Sequence, residues 1–124
     1  MRKTILLLVM GLVLLSCRNE EEKPISACGV SNPASELPWL ATKLAEMESG
    51  SLRELFYVAQ TELNGQTLFI FGNCCAVCNS IIPVYNCEGE VLGLLGAQDG
   101  IYGFELLSDS RIISKYNSCQ IGAT

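Results

Sequence analysis

The chain has 124 residues, a formal charge of -5, seven cysteines and no histidine. The length suits one domain with a modest core. The lack of imidazole excludes Ser-His-Asp and Cys-His catalysis and any zinc site built on histidine, and the acidic balance repels phosphate, which argues against nucleic acid and against electrostatic adsorption to anionic lipid.

Residues 1–16 have the three parts of an export signal: Arg2 and Lys3, the apolar run Ile5 to Leu15, and small Ser16 before a cysteine. Thr4 to Ser16 is thirteen residues. As a helix that spans about 20 Å, short of the roughly 30 Å hydrocarbon core of a bilayer. Leu14-Leu15-Ser16-Cys17 matches a lipobox, so the reading is a signal peptide cut before Cys17, with lipid added to that residue. Cleavage removes two basic residues, leaving six basic against thirteen acidic side chains in 108 residues. At such a charge, membrane association has to come from the lipid on Cys17. Residues 17–27 then form an acidic, disordered tether, because Arg18 to Ser26 offers almost no apolar surface to bury. Glu20-Glu21-Glu22 resembles the acidic surface-export signal of Bacteroidota lipoproteins. That resemblance implies the outer face of the outer membrane, although three glutamates also serve simply to solvate a linker.

The remaining cysteines are Cys28, Cys74, Cys75, Cys78, Cys87 and Cys119. An even set in a small exported domain points to three disulfides. Fifteen pairings are open, and the sequence does not choose among them.

The folded domain is expected over residues 28–124. Ser35 reads as a helix N-cap, with Glu36 and Pro38 in the first turn. Leu37, Leu40, Ala41, Leu44 and Met47 then recur at helical spacing, and Gly50 is the stop. Trp39 lies off that stripe and reads as a packing anchor rather than a ligand-stacking residue. Asn64-Gly65 favours a type I′ hairpin turn. A two-residue loop there sets Leu63 against Gln66, Thr61 against Leu68, Ala59 against Ile70 and Val58 against Phe71. Both faces of this pair carry apolar side chains, so the pair is expected to be central, with the helix on at least one side. The same register sets Cys74 opposite Leu55. Ile81 to Cys87 and Glu90 to Leu95 suggest a second hairpin through Glu88-Gly89, in which Pro83 demands an edge or a bulge. In the tail, Phe104, Leu106 and Leu107 fit a strand end or one helical turn, and Arg111 to Tyr116 a final strand.

Among candidate chemistries, Cys75-x-x-Cys78 has the spacing of thiol-disulfide enzymes. Those need a long helix after the motif to activate the first thiol, and here the following residues look like strand. Cys74, Cys75, Cys78 and Cys87 together supply enough thiolates for an all-cysteine metal site, which would compete with oxidation outside the cytoplasm. Asp99, Glu88, Glu90 and Glu105 lack the ligand spacing of a calcium loop and read as solvated carboxylates, as do Glu46 and Glu48 on the helix.

Glu36-Leu37-Pro38-Trp39-Leu40, the strand ending in Asn73-Cys74-Cys75, and Val84-Tyr85-Asn86-Cys87-Glu88-Gly89-Glu90-Val91 together resemble a family of small, uncharacterised, cysteine-containing lipoproteins of the Bacteroidota. The resemblance spans most of residues 36 to 96 and leaves out Cys78 and the tail after Gly100. It implies an envelope address and an α+β fold, and it brings no catalytic residue.

The combined expectation is a disulfide-stapled α+β domain with one main N-terminal helix packed on an antiparallel sheet of four or five strands. Functionally the expectation is a lipid-anchored cell-envelope lipoprotein of the outer membrane, surface-exposed if the acidic run acts as an export signal. It would act as a non-enzymatic binding, inhibitory or accessory module for an extracytoplasmic protein or ligand, with no cofactor, metal, catalytic residue or nucleic-acid partner. The alternatives are a thiol-disulfide redox protein using Cys75 and Cys78, and an all-cysteine metal-binding protein.

Overall fold

The computed structural model describes residues 26–78 and 81–121. The signal peptide expected over residues 1–16, the lipidation expected at Cys17 and all but the last two residues of the tether expected over 17–27 fall on residues 1–25, outside the described residues. The fold is α+β: short helices and a five-stranded antiparallel sheet of order β4-β3-β2-β1-β5.

The helical region is two pieces rather than one. α1 (Pro33–Glu36) is separated by Leu37 from α2 (Pro38–Glu48). The break belongs to Pro38. Its ring disfavours helical geometry at the preceding residue, and Leu37 accordingly adopts φ -92°, ψ 110°. Pro38 itself loses nothing at the first helical position, where its missing N–H would have had no partner. Ser35 is therefore inside α1 and is not the N-cap expected of it; Asn32 holds that place. The Asn32 N–H donates to the Glu36 carboxylate, which also accepts from the Ser31 hydroxyl. α2 stops at Glu48, ahead of Gly50, with Ser49 as a right-handed C-cap.

β1 (Phe56–Leu63) and β2 (Gln66–Asn73) are joined by Asn64-Gly65, both at positive φ, 52° and 79°. The pairing Leu63 with Gln66, Thr61 with Leu68, Ala59 with Ile70 and Val58 with Phe71 is the register such a loop enforces. Both strands are interior to the sheet because both of their faces need cover. On one face α2 packs Leu40 and Leu44 against Val58 and Phe69. On the other, Tyr57, Ala59, Leu68 and Ile70 meet Val84 and Leu95, and the tail covers them with Leu106, Leu107 and Ile121.

β3 (Pro83–Tyr85) and β4 (Val91–Leu94) complete one side of the sheet. Pro83 is tolerated beside a register shift between Val84 and Tyr85, the bulge that a strand proline requires. Their turn is wider than Glu88-Gly89. Asn86 is buried and organises it: its Oδ1 accepts the N–H groups of Glu88 and Glu90 at 3.0 and 2.9 Å.

Phe104–Leu107 form a short 3-10 helix, and β5 is only Arg111–Ile112 on the outer edge of β1. The longer strand expected through Tyr116 is absent from the described residues. The chain leaves the edge after the Ile113 N–H reaches the Val58 carbonyl, and the Ser114 hydroxyl then accepts the Val58 N–H in place of a ladder carbonyl. Side-chain oxygen thus substitutes for strand backbone there.

Candidate functional site

The six described cysteines form three disulfides: Cys28–Cys87, Cys74–Cys119 and Cys75–Cys78. Their positions follow from local structure. Cys28 stands at φ 57° in a tight turn closed by paired hydrogen bonds between Ala27 and Val30, which aims it toward the β3–β4 turn. It joins Cys87 across 59 positions, tying the entry to the domain to its middle.

Cys74 directly follows β2, and its N–H still reaches the Leu55 carbonyl at 2.9 Å, so the pairing outlasts the strand by one residue. Its disulfide to Cys119 fastens the tail, where Cys119 packs on the core beneath the sheet. At Cys75 the chain turns out of the sheet, with Asn73 Oδ1 accepting the Cys75 N–H. The Cys75–Cys78 bond then closes a loop of which Ala76 and Val77 form the tip, and Val77 is 95% exposed.

Beside this loop lies a groove of about 460 Å³ between the second half of α2 and the ends of β1 and β2. Met47, Phe56, Phe71 and Ile81 give it apolar walls, with Lys43 and Glu46 at its edge. A second depression of about 270 Å³ shares Met47 and Phe56 and runs on to Leu52 and Arg53. The sequence carried the ingredients of this groove without its location. α2 is eleven residues long. It covers the middle of a hairpin of two eight-residue strands and leaves the rings of Phe56 and Phe71 at its end partly uncovered.

Trp39 does not face the groove as a stacking platform. Its ring meets Phe69 edge-on at 5.6 Å and lies 5.7 Å from Tyr85, and its Nε1–H donates to the Cys87 carbonyl. That satisfies the polar end of a half-buried indole and makes it a packing anchor. Lys43 Nζ sits 5.2 Å above the Tyr85 ring.

The chemistry available follows from these bonds. All six described cysteine sulfurs are in S–S bonds, so none is a thiolate nucleophile or metal ligand in this state. Cys74, Cys75, Cys78 and Cys87, which an all-cysteine metal site would need, are divided among three separate bridges. Among the described residues no group of three or more His, Cys, Asp or Glu side chains converges as a metal site. Two of the four carboxylates considered for calcium are engaged locally: Glu90 accepts from Asn86, and Asp99 caps the Ile101 N–H. Glu48, expected on the outer face of the helix, is half-buried and accepts the Lys115 N–H, holding the tail to α2. Beyond Cys78 the next described element is β3, so among the described residues no α-helix follows the Cys-x-x-Cys motif to lower a thiol pKa. Among the described residues no helix is long and apolar enough to cross a membrane.

No protein-family model, no curated protein and no solved structure matches this chain.

Proposed function

We propose that the chain is a lipid-anchored protein of the cell envelope, exported by residues 1–16, lipidated on Cys17, and carrying a non-enzymatic binding, inhibitory or accessory domain. The observation that carries this reading is cysteine bookkeeping. The six described cysteines pair with one another, so among the described residues no thiol is left over as a disulfide partner for Cys17 at the end of the lipobox. Disulfides also suit an oxidising compartment. One acyl chain binds a membrane only marginally, so the two or three chains of a lipoprotein are what would hold the protein firmly.

The acidic run Glu20-Glu21-Glu22 extends the reading to the outer membrane and its outer surface, and the resemblance to Bacteroidota lipoproteins belongs to the same proposal. So does the finer architecture, a single main helix at the N-terminal end of the domain. The binding role rests on an open groove of mixed lining, with apolar walls of Met47, Phe56, Phe71 and Ile81 and polar Lys43, Glu46 and Asn73, on a disulfide-closed scaffold.

Growth with a radiolabelled fatty acid tests the anchor. The native chain should take up label and lose its signal, whereas Cys17→Ser should remain uncleaved and unlabelled. Normal lipid labelling of the Cys17→Ser protein would refute the assignment. For the binding role, a pull-down with the intact displayed protein should recover an extracytoplasmic partner. A hydrolytic activity lost on mutating an acidic pair such as Glu88 and Glu90 would overturn the non-enzymatic reading.

A further inference from the structure

The three disulfides are not equivalent in what they hold. Cys28–Cys87 and Cys74–Cys119 close separations of 59 and 45 positions, and each joins elements far apart in sequence. Cys28 packs on the core beneath α2 and Cys119 on the core beneath the tail, so opening either bond releases a half-buried cysteine that anchors its segment to the core, although Cys74 itself is exposed. Cys75–Cys78 closes a separation of 3, outside any strand or helix, at a loop whose tip residues Ala76 and Val77 are both exposed. Neither of its cysteines packs on a core cluster. Opening it frees only its own loop, since the adjacent Cys74 stays bonded to Cys119 and to the Leu55 carbonyl.

We infer that Cys75–Cys78 is a reversible electron-accepting site for an external dithiol, and that Cys28–Cys87 and Cys74–Cys119 keep the domain folded while it is open. No helix is needed for this role. A helix N-terminus activates a thiolate that attacks, whereas here the protein supplies the disulfide that is attacked, and the activated thiolate belongs to the partner. One partner thiolate attacks one of the two sulfurs. A mixed disulfide forms, the Cys75–Cys78 bond breaks, and its electron pair leaves on the other sulfur, which takes a proton from water. The partner's second thiolate then attacks its own sulfur in the mixed disulfide and releases the second cysteine as a thiol. The partner dithiol ends as a disulfide, and Cys75 and Cys78 end as two thiols, a transfer of two electrons and two protons. The short separation makes the site reversible, because the released cysteine stays tethered beside any mixed disulfide and can expel a monothiol by attacking it.

The test uses the whole protein under native conditions. It is exposed to graded mixtures of reduced and oxidised glutathione, and separately to dithiothreitol as the dithiol probe. Free thiols are then trapped by alkylation and mapped by peptide mass. The expected result is that Cys75 and Cys78 are alkylated together, at least tenfold faster than Cys28, Cys87, Cys74 or Cys119, with the circular dichroism unchanged. In Cys75→Ser, Cys78 should accumulate as a glutathione mixed disulfide that the native protein does not retain. Equal rates for the three bonds, earlier opening of Cys74–Cys119, or loss of structure in step with Cys75 and Cys78 alkylation would overturn the inference. Cys17 reports separately: a free thiol there before any reductant is added counts against lipidation and leaves the result for Cys75–Cys78 readable.

Discussion

The indole N–H of Trp39 donates to the main-chain carbonyl of Cys87 at 2.7 Å, across 48 positions of sequence. The bond joins the first turn of α2 to the turn that also carries the Cys28–Cys87 disulfide. One aromatic side chain therefore fixes the helix, the domain entry and the second hairpin in a common frame. Trp39→Phe keeps an aromatic body and loses the donor, leaving a half-buried carbonyl unpaired, and should cost about 1 to 3 kcal/mol. Trp39→Ala also removes the contacts with Phe69 and Tyr85 and should cost about 3 to 5 kcal/mol. Urea unfolding followed by circular dichroism separates the two variants by their midpoints.

Gly89 lies under that same ring. Its φ is +80°, and a Cβ built there would stand 2.7 Å from an indole carbon. Gly89→Ala thus meets two obstacles, a left-handed backbone and an overfilled contact, which together should destabilise by about 2 to 4 kcal/mol. Gly65 has a similar φ of +79° with open space around it, so Gly65→Ala should show the backbone part alone. A loss at Gly89 no greater than that at Gly65 would show that the indole moves aside freely.

The disulfides should rank by the length of chain they close. Replacing Cys28 and Cys87 together with alanine, or Cys74 and Cys119, should cost roughly 2 to 5 kcal/mol each. Replacing Cys75 and Cys78 should cost less than about 2 kcal/mol, since a short loop loses little freedom on closure. Thermal unfolding of the three double variants, each retaining the other two bonds, measures the order directly.

Tyr57 is buried, and burial raises its phenol pKa above the ordinary value. In the unfolded chain the phenol ionises near pH 10, while in the fold it keeps its proton to higher pH. The unfolded state therefore loses protons first, and stability falls as pH rises through that interval, being unaffected by this group below it. Tyr57→Phe should flatten the alkaline decline of the urea midpoint without adding any pH dependence near neutrality. An equal decline in Tyr57→Phe would assign it to other groups.

What could be read in advance was local. Asn64-Gly65 sets its own turn geometry, so the register of the central hairpin followed without reference to the rest of the chain. The apolar side chains on both faces then required the pair to be internal, as it is. Pro83 announced its bulge for a similar reason, because a missing N–H is a property of the residue alone. The cysteine pairing was of another kind. Whether Cys74 meets Cys119 or Cys87 depends on where the tail crosses the sheet, and nothing near any of these residues encodes that path. The end of β5 is hidden for the same reason, since Ser114 supplies a hydroxyl acceptor where strand propensity favours continued backbone pairing. The break at Leu37 was legible in principle from Pro38, and the helical spacing across it obscured the signal. The groove depends on how far an eleven-residue helix extends over a hairpin of eight-residue strands, a matter of docking that periodicity does not report.

The bond between Cys28 and Cys87 also determines how the domain would respond to tension. A pull on the chain ahead of Cys28 passes through sulfur into the β3–β4 turn and bypasses everything between, including α2 and the central hairpin. Those elements sit inside a covalent loop and cannot be peeled off one residue at a time from that end. The load arrives instead at the turn braced by Asn86 and roofed by Trp39, so mechanical resistance to a drag at the N-terminal side is concentrated in a few residues around Cys87.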